Sequence, residues 1–467
     1  MEQRTKRDSA LISLVSEFEA NFEKGNVEYL NEKSFFQLIR YYEDDREYDK
    51  ALDVAKLALE QYHYRSDFYI ALCRLYLKVN KLEECLNNLE IAESIAPYEN
   101  EIRILKVKAL ALSGEYDRAF EELESLEAVS LNGDLVEIYL CEAEIYAEMS
   151  CHGQMFDSLR KALEIEPANI EALERFWVAT ELSKRYIECA AYMSLLIDRN
   201  PYNYYAWYNL GHALSFSGEY EKAIDAMEYS FIINPDFEEG YMDCADLCCQ
   251  IKDFGKALKV YQEAIEYFGE DNDLLINISE CQMYLNKTSD CKNNLYKAVK
   301  QDPYNDEIYY FLAECYSKEE KWYSAINAYH KAIEIEDGCG EYYLGLARAY
   351  VAVEDYNKAT INFHLSVSDG PEQTHFWREF ASFLLKLGLY EESLQILDEA
   401  EEYTFGADLL YCRAMVNFFL KNKKLGLEIL EEALLEDFSL HTIIYSLAPE
   451  LEVDKEISSM IEYFAGE

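Results

Sequence analysis

From Tyr204 onward, small and apolar side chains recur at helical spacing. Trp207, Leu210, Gly211 and Leu214 are the fourth, seventh, eighth and eleventh residues of one segment, and at about 3.6 residues per turn they share one face. Gly218, Glu219 and Tyr220 interrupt the pattern. Ala223, Met227 and Ser230 then carry a second apolar face that ends before Pro235. The segment predicts two helices, A and B, joined by a short turn. The same skeleton returns 34 residues apart along the chain. From Asp306 it reads Tyr309, Leu312, Ala313, Tyr316, Trp322, Ala325, Tyr329 and Ala332; from Gly340, Tyr343, Leu346, Ala347, Tyr350, Tyr356, Ala359, Phe363 and Pro371; from Thr374, Trp377, Phe380, Ala381, Leu384, Gly388 and Tyr390.

The prolines keep the same count. From Pro167 they step to Pro201, Pro235, Pro303 and Pro371, every step a multiple of 34, and a period of that length marks a stacked repeat architecture. Earlier repeats begin near Ile170, Val136, Asn100, Ser66 and Glu32, with a two-residue slip at Asn132, Gly133 and Asp134. Those from Glu238 and Asn272 are weaker but in register, and the last, near Asp408, loses a residue around Lys424, Leu425 and Gly426. Small residues at positions eight and twenty let helix A meet helix B, an aromatic at seventeen caps their turn, and proline at thirty-two stops helix B. The expected organisation is a capping helix within residues 1–31, amphipathic over residues 8–23, about twelve repeats over 32–440, and one or two capping helices in 441–467 with Pro449 between them.

The order Trp207, Leu210, Gly211, Tyr220, Ala223 and Pro235 resembles the tetratricopeptide motif, and the in-register copies extend the resemblance over most of the chain. It implies an all-α fold, a right-handed α-α superhelix of helix-turn-helix repeats, and protein binding through a concave groove. Some relatives grip an acidic C-terminus with a clamp of Lys, Asn, Asn, Lys and Arg. Lys33, Arg40, Arg74 and Lys78 echo that clamp only in part and lack its asparagines.

Charge narrows the partner. The chain has 43 basic and 90 acidic residues, a net charge of −47, so nucleic acid and acidic membrane surfaces are poor partners. No run approaches the length of an uncharged membrane span. The apolar run at 10–15, cut short by Glu17 and Glu19, is a weak signal-peptide candidate with no small-residue cleavage site nearby. A reducing cytoplasm is the expected location.

Catalytic or metal chemistry finds no support. Cys244, Cys248 and Cys249 have a spacing that suits zinc, but Cys244 and Cys248 occupy core positions seven and eleven, while Cys85, Cys189 and Cys291 fill position twenty and Cys73 position eight. Cysteine stands there as a small hydrophobe. The seven histidines are scattered, and no phosphate loop or nucleophile elbow occurs. The chain is therefore expected to be no enzyme, with no cofactor and no metal.

The informative side chains are those the repeat does not need, at positions two, five, nine, twelve and thirteen of helix A. Basic residues fall at the two ends (Lys33, Arg40, Arg74, Lys78, Lys108; Arg348, Arg378, Lys386), and acidic residues fill the middle. The candidate groove is Glu171, Glu174, Tyr205, Tyr208, Asn209, His212, Phe216, Asp246 and Glu280. Aromatics beside carboxylates suit an extended protein or peptide segment that is basic or neutral. The expected function is a non-catalytic scaffold or adaptor that holds such a segment, a subunit of a larger assembly. A second reading, the repeat arm or regulatory subunit of an enzyme complex, stays open.

Overall fold

The computed structural model describes residues 2–22, 29–129, 132–448 and 454–465; Pro449 lies outside them. The fold is all-α, and no strand occurs among the described residues. Among the described residues, twelve helix pairs follow one another. Their A helices begin at residues 32, 66, 100, 132, 170, 204, 238, 272, 306, 340, 374 and 407, and their B helices at 48, 82, 116, 152, 186, 220, 254, 288, 322, 356, 390 and 423. These pairs are repeats 1 to 12. The chain divides into two compact units, one ending at Gly240 and one beginning at Tyr241. Each is a stack of helix pairs with its own apolar core.

Local chemistry explains the helix ends. Asn31, Asn169, Asn203, Asp271 and Asn305 precede A helices, and each side chain accepts a hydrogen bond from a backbone N–H in the first turn. Each A helix ends on a left-handed residue at position fifteen. It is glycine at 114, 218 and 388, but Arg46, Asn80, Ser150, Lys184, Lys252, Asn286, Glu320, Glu354 and Lys421 elsewhere. The next N–H bonds back five residues, as from Arg185 to the Thr180 carbonyl at 3.2 Å, closing a Schellman turn. Proline at thirty-two is not what stops helix B. The helix over Tyr186–Arg199 ends two residues before Pro201, and that over Trp322–Ile335 ends two residues before Asp337. The position-four aromatic instead ties the turn between repeats: Trp207 and Trp377 donate indole N–H bonds to the Pro201 and Pro371 carbonyls, both at 2.8 Å.

The two irregularities fall differently from expectation. The slip at Asn132, Gly133 and Asp134 is absorbed as helix, lengthening Asn132–Glu148 to 17 residues. The lost residue lies ahead of the last repeat, not at Lys424, Leu425 and Gly426. Helix A of repeat 12 starts at Ala407, 33 residues after Thr374, so Ala414 and Gly426 fall at positions eight and twenty.

Packing follows the small positions. A Cβ on Gly211 would stand 2.5 Å from Met227 Cγ and 3.0 Å from the Ala223 carbonyl, so helix B approaches too closely for any side chain there. Ala325, Ala359 and Ala381 are buried in the same kind of contact. Helix A also buries positions three and ten, for example Ala206 and Ala213, or Phe376 and Phe383. These form a second stripe that a single helix pair does not require.

Helix Glu2–Phe22 packs Val15 and Phe18 on repeat 1, and its Glu19 accepts bonds from Tyr42 at 3.3 Å and Lys50 at 3.1 Å. After repeat 12 come a short 3-10 turn over Phe438–Thr442 and helices Ile443–Leu447 and Lys455–Ala465. No helix among the described residues is long and apolar enough to cross a membrane.

Candidate functional site

With positions three, four, seven, eight, ten and eleven buried or half-buried, helix A leaves positions two, five, nine and thirteen along one open face. In the first unit this face changes character at repeats 5 and 6. Position nine and position thirteen are Arg40 and Asp44, Arg74 and Lys78, Lys108 and Leu112, then Glu144 and Glu148. In helix Ile170–Ser183 they become Val178 and Leu182, and in helix Tyr204–Phe216 they become His212 and Phe216. Val178, Leu182 and Phe216 are 46%, 53% and 55% exposed.

Trp177 explains part of the change. It stands at position eight, where most repeats carry a small residue, and remains half-buried. Its indole stacks on His212 at 4.8 Å and lies 5.7 Å from Phe216. Tyr208 meets His212 edge-on at 4.5 Å and Phe237 at 4.9 Å, and Tyr205 lies 5.1 Å from Phe237. The result is a continuous aromatic bank running along the two A helices.

Carboxylates border it. Tyr205 donates to Glu174 Oε1 at 3.0 Å, and burial together with Glu174 and Glu239 pushes the phenol well above its ordinary pKa. Glu171 is exposed and pairs with Arg175 at 2.9 Å. Asn209, at position six, is wholly buried. Its amide donates to the Leu173 carbonyl at 2.8 Å, so it joins neighbouring A helices and offers nothing to solvent. Of the residues singled out from sequence, Glu171, Glu174, Tyr205, Tyr208, His212 and Phe216 therefore share one face. Val178, Leu182 and Trp177 were not among the residues singled out from sequence: the first two are aliphatic, and Trp177 stands in a core slot.

Asp246 and Glu280 belong to the second unit. The buried Tyr261 donates to Asp246, and the same device recurs where the buried Tyr329 donates to Glu314. Desolvation raises the pKa of Asp246, with Asp243 adding to it. Glu280 is half-buried and raised by desolvation, then by Glu307 and Asp246; Glu307 is raised by desolvation, then by Asp306 and Asp273. This is a row of crowded carboxylates.

The basic ends are largely neutralised. Arg74 pairs with Glu101, Lys78 with Glu43 at 2.6 Å, Arg40 with Asp44 at 3.8 Å and Lys108 with Glu144 at 4.0 Å. Arg348 forms a two-pronged pair with Glu379 at 2.7 and 2.5 Å, and Arg378 lies 3.7 Å from Asp408. Lys33 and Lys386 are exposed.

Cys73, Cys85, Cys189, Cys244, Cys248 and Cys291 are all fully buried. Burial pushes the Cys141, Cys189 and Cys412 thiols up to about 12. No metal-holding group of His, Cys, Asp and Glu occurs among the described residues.

Comparison with known proteins agrees with this architecture. Residues 194–225 match the family model described as tetratricopeptide repeat. The chain is similar to the human protein O-mannosyl-transferase TMTC1, 25% identical over 193 residues, which are 40% of this chain and 21% of that protein. It is 21% identical over 339 residues to the TPR repeat-containing protein YpiA of Bacillus subtilis, covering 72% of this chain and 79% of that one. The chain thus spans about a fifth of the first relative's length and most of the second's. Among solved structures it is similar to yeast Tom70, with 13% identity, 91% of this chain and 100% of that chain covered, and a TM-score of 0.40. Twelve helix pairs among the described residues, most of them 34 residues apart, small residues at the A–B contact and the match of residues 194–225 give this chain the repeat architecture of tetratricopeptide repeat proteins.

Proposed function

We propose that this protein is a non-catalytic scaffold that holds an extended, basic or neutral segment of a partner protein against the A-helix face of repeats 5 and 6. One observation carries the reading: Val178, Leu182 and Phe216 stand together on that face, each close to half exposed or more, against a bank of aromatic rings. Apolar side chains gathered in this way mark interaction surfaces. Glu171 and Glu174 beside them favour a cationic partner and speed its encounter in a salt-dependent manner. The buried thiols suit a reducing compartment, and we place the protein in the cytoplasm.

The test is capture from native lysate with mass spectrometry, comparing the wild type with Tyr208→Ala combined with Glu174→Lys. The expected result is loss of a specific partner by a variant whose circular dichroism shows that it remains folded. Equal capture by both would place the working surface elsewhere. A second reading, the repeat arm of an enzyme complex, is favoured by the likeness to a limited stretch of a human transferase. It predicts that an enzymatic activity copurifies with the captured partner.

A further inference from the structure

The face of repeats 5 and 6 is divided along the helix axes. Towards the N-terminal ends of the A helices stand Glu171 and Glu174, with Glu239 close enough to Tyr205 to raise its pKa. Towards the C-terminal ends stand the exposed Val178, Leu182 and Phe216, the last of them beside Trp177. Neither helix has a carboxylate, Lys or Arg at position nine or thirteen, whereas repeats 1, 2 and 4 carry charge at both. Glu174 is held by Tyr205 through Oε1, and its second oxygen has no partner among the described residues.

Resting on the proposed scaffold role, we infer that the segment held here carries one apolar side chain and one Lys or Arg at a fixed separation, laid along the A helices with its apolar end over Leu182. The separation follows from helix geometry. Leu182 lies eight residues beyond Glu174 and eleven beyond Glu171, a rise of about 12 to 16 Å at roughly 1.5 Å per residue. An extended chain covers that distance in about four or five residues, at roughly 3.3 Å each. The apolar anchor packs on the exposed side chains of Val178, Leu182 and Phe216. The cation reaches the outer oxygen of Glu174 and the carboxylate of Glu171, whose pairing with Arg175 is an exposed one. A segment lying across the helices instead would meet one A helix after another and show no such fixed separation.

The experiment is selection of a random displayed peptide library on the full-length chain, in parallel with Leu182→Glu and Glu174→Lys. Both substitutions are at exposed positions, and matching melting curves confirm that the variants are folded. The expected peptides share an apolar residue and a Lys or Arg about four or five residues apart. They lose affinity about tenfold or more on Leu182→Glu, the loss typical of an anchor residue. On Glu174→Lys, selection is expected to return Asp or Glu at the same offset. Peptides that depend on Leu182 but show no cation, or one at variable spacing, overturn this inference and leave the scaffold site standing. Peptides that bind Leu182→Glu as well as wild type, or a chain that enriches no peptide, count against both.

Discussion

Tyr186 lies face to face with Phe216 of the following repeat, ring centroids 4.8 Å apart and planes 9° from parallel. The same pairing, position seventeen on position thirteen of the next repeat, recurs as Phe254 on Tyr284 at 4.1 Å and Tyr390 on Phe419 at 5.2 Å. Phe216 is thus partly a joint between repeats. A double-mutant cycle with Tyr186→Ala and Phe216→Ala is expected to give a coupling of about 0.5–1.5 kcal/mol in urea unfolding. Additive effects would show that the stack contributes no stability.

Gly345 leaves the space that Tyr329 fills. A Cβ there would stand 2.5 Å from two ring carbons and 2.7 Å from the phenol oxygen, and that phenol bonds Glu314. Gly345→Ala is therefore expected to displace the ring and destabilise by roughly 1–3 kcal/mol, as overpacked cores do. Ala325→Leu, at the A–B contact, is expected to cost a similar amount. A neutral effect of either on chemical denaturation would contradict the packing described.

Lys184 holds a left-handed backbone at φ 56°, a conformation that costs a residue with a Cβ about 1 kcal/mol and glycine little. Lys184→Gly is expected to raise stability by a few tenths to about 1 kcal/mol, the strain relief exceeding the added unfolded-state entropy. A lowered midpoint of denaturation would show that the turn is unstrained.

Asp246, Glu280 and Glu307 have pKa values raised in the fold by desolvation and by neighbouring carboxylates. The folded state then holds protons more tightly than the unfolded chain, so stability falls as pH rises through the window between the ordinary and raised values. Lowering the pH from neutral into that window is expected to stabilise the second unit. Glu280→Gln should mimic the gain at neutral pH and lose its advantage in acid. Unfolding curves of wild type and variant across this range decide the matter.

The thirteen cysteines offer a chemical check. The expected results are recovery of all thirteen thiols after denaturation and a melting curve unchanged by chelators. Stoichiometric zinc that disappears on Cys248→Ser would assign Cys244, Cys248 and Cys249 a role beyond packing.

The helix pairs, their period and their number could be read from the chain because each depends on residues close in sequence. Positions four, seven, eight and eleven lie within one helix, and positions eight and twenty meet across one short turn. The lost residue of the last repeat was misplaced by sequence because Asp408 also continues the 34-residue count. Only the helix start at Ala407 restores Ala414 and Gly426 to the contact positions. The candidate groove was legible only in outline. Helical periodicity brings Glu171, Glu174, Tyr205, Tyr208, His212 and Phe216 to an open face, but it does not say which neighbours they meet. The packing of one A helix on the next decided that Asn209 is buried against Leu173, that Phe216 stacks on Tyr186, and that Asp246 is held by Tyr261. It also decided that Val178 and Leu182 remain open to solvent. These outcomes depend on distances between side chains about one repeat apart or on facing helices. Such distances arise from how the helices stack, and a one-dimensional pattern of polar and apolar residues does not contain them.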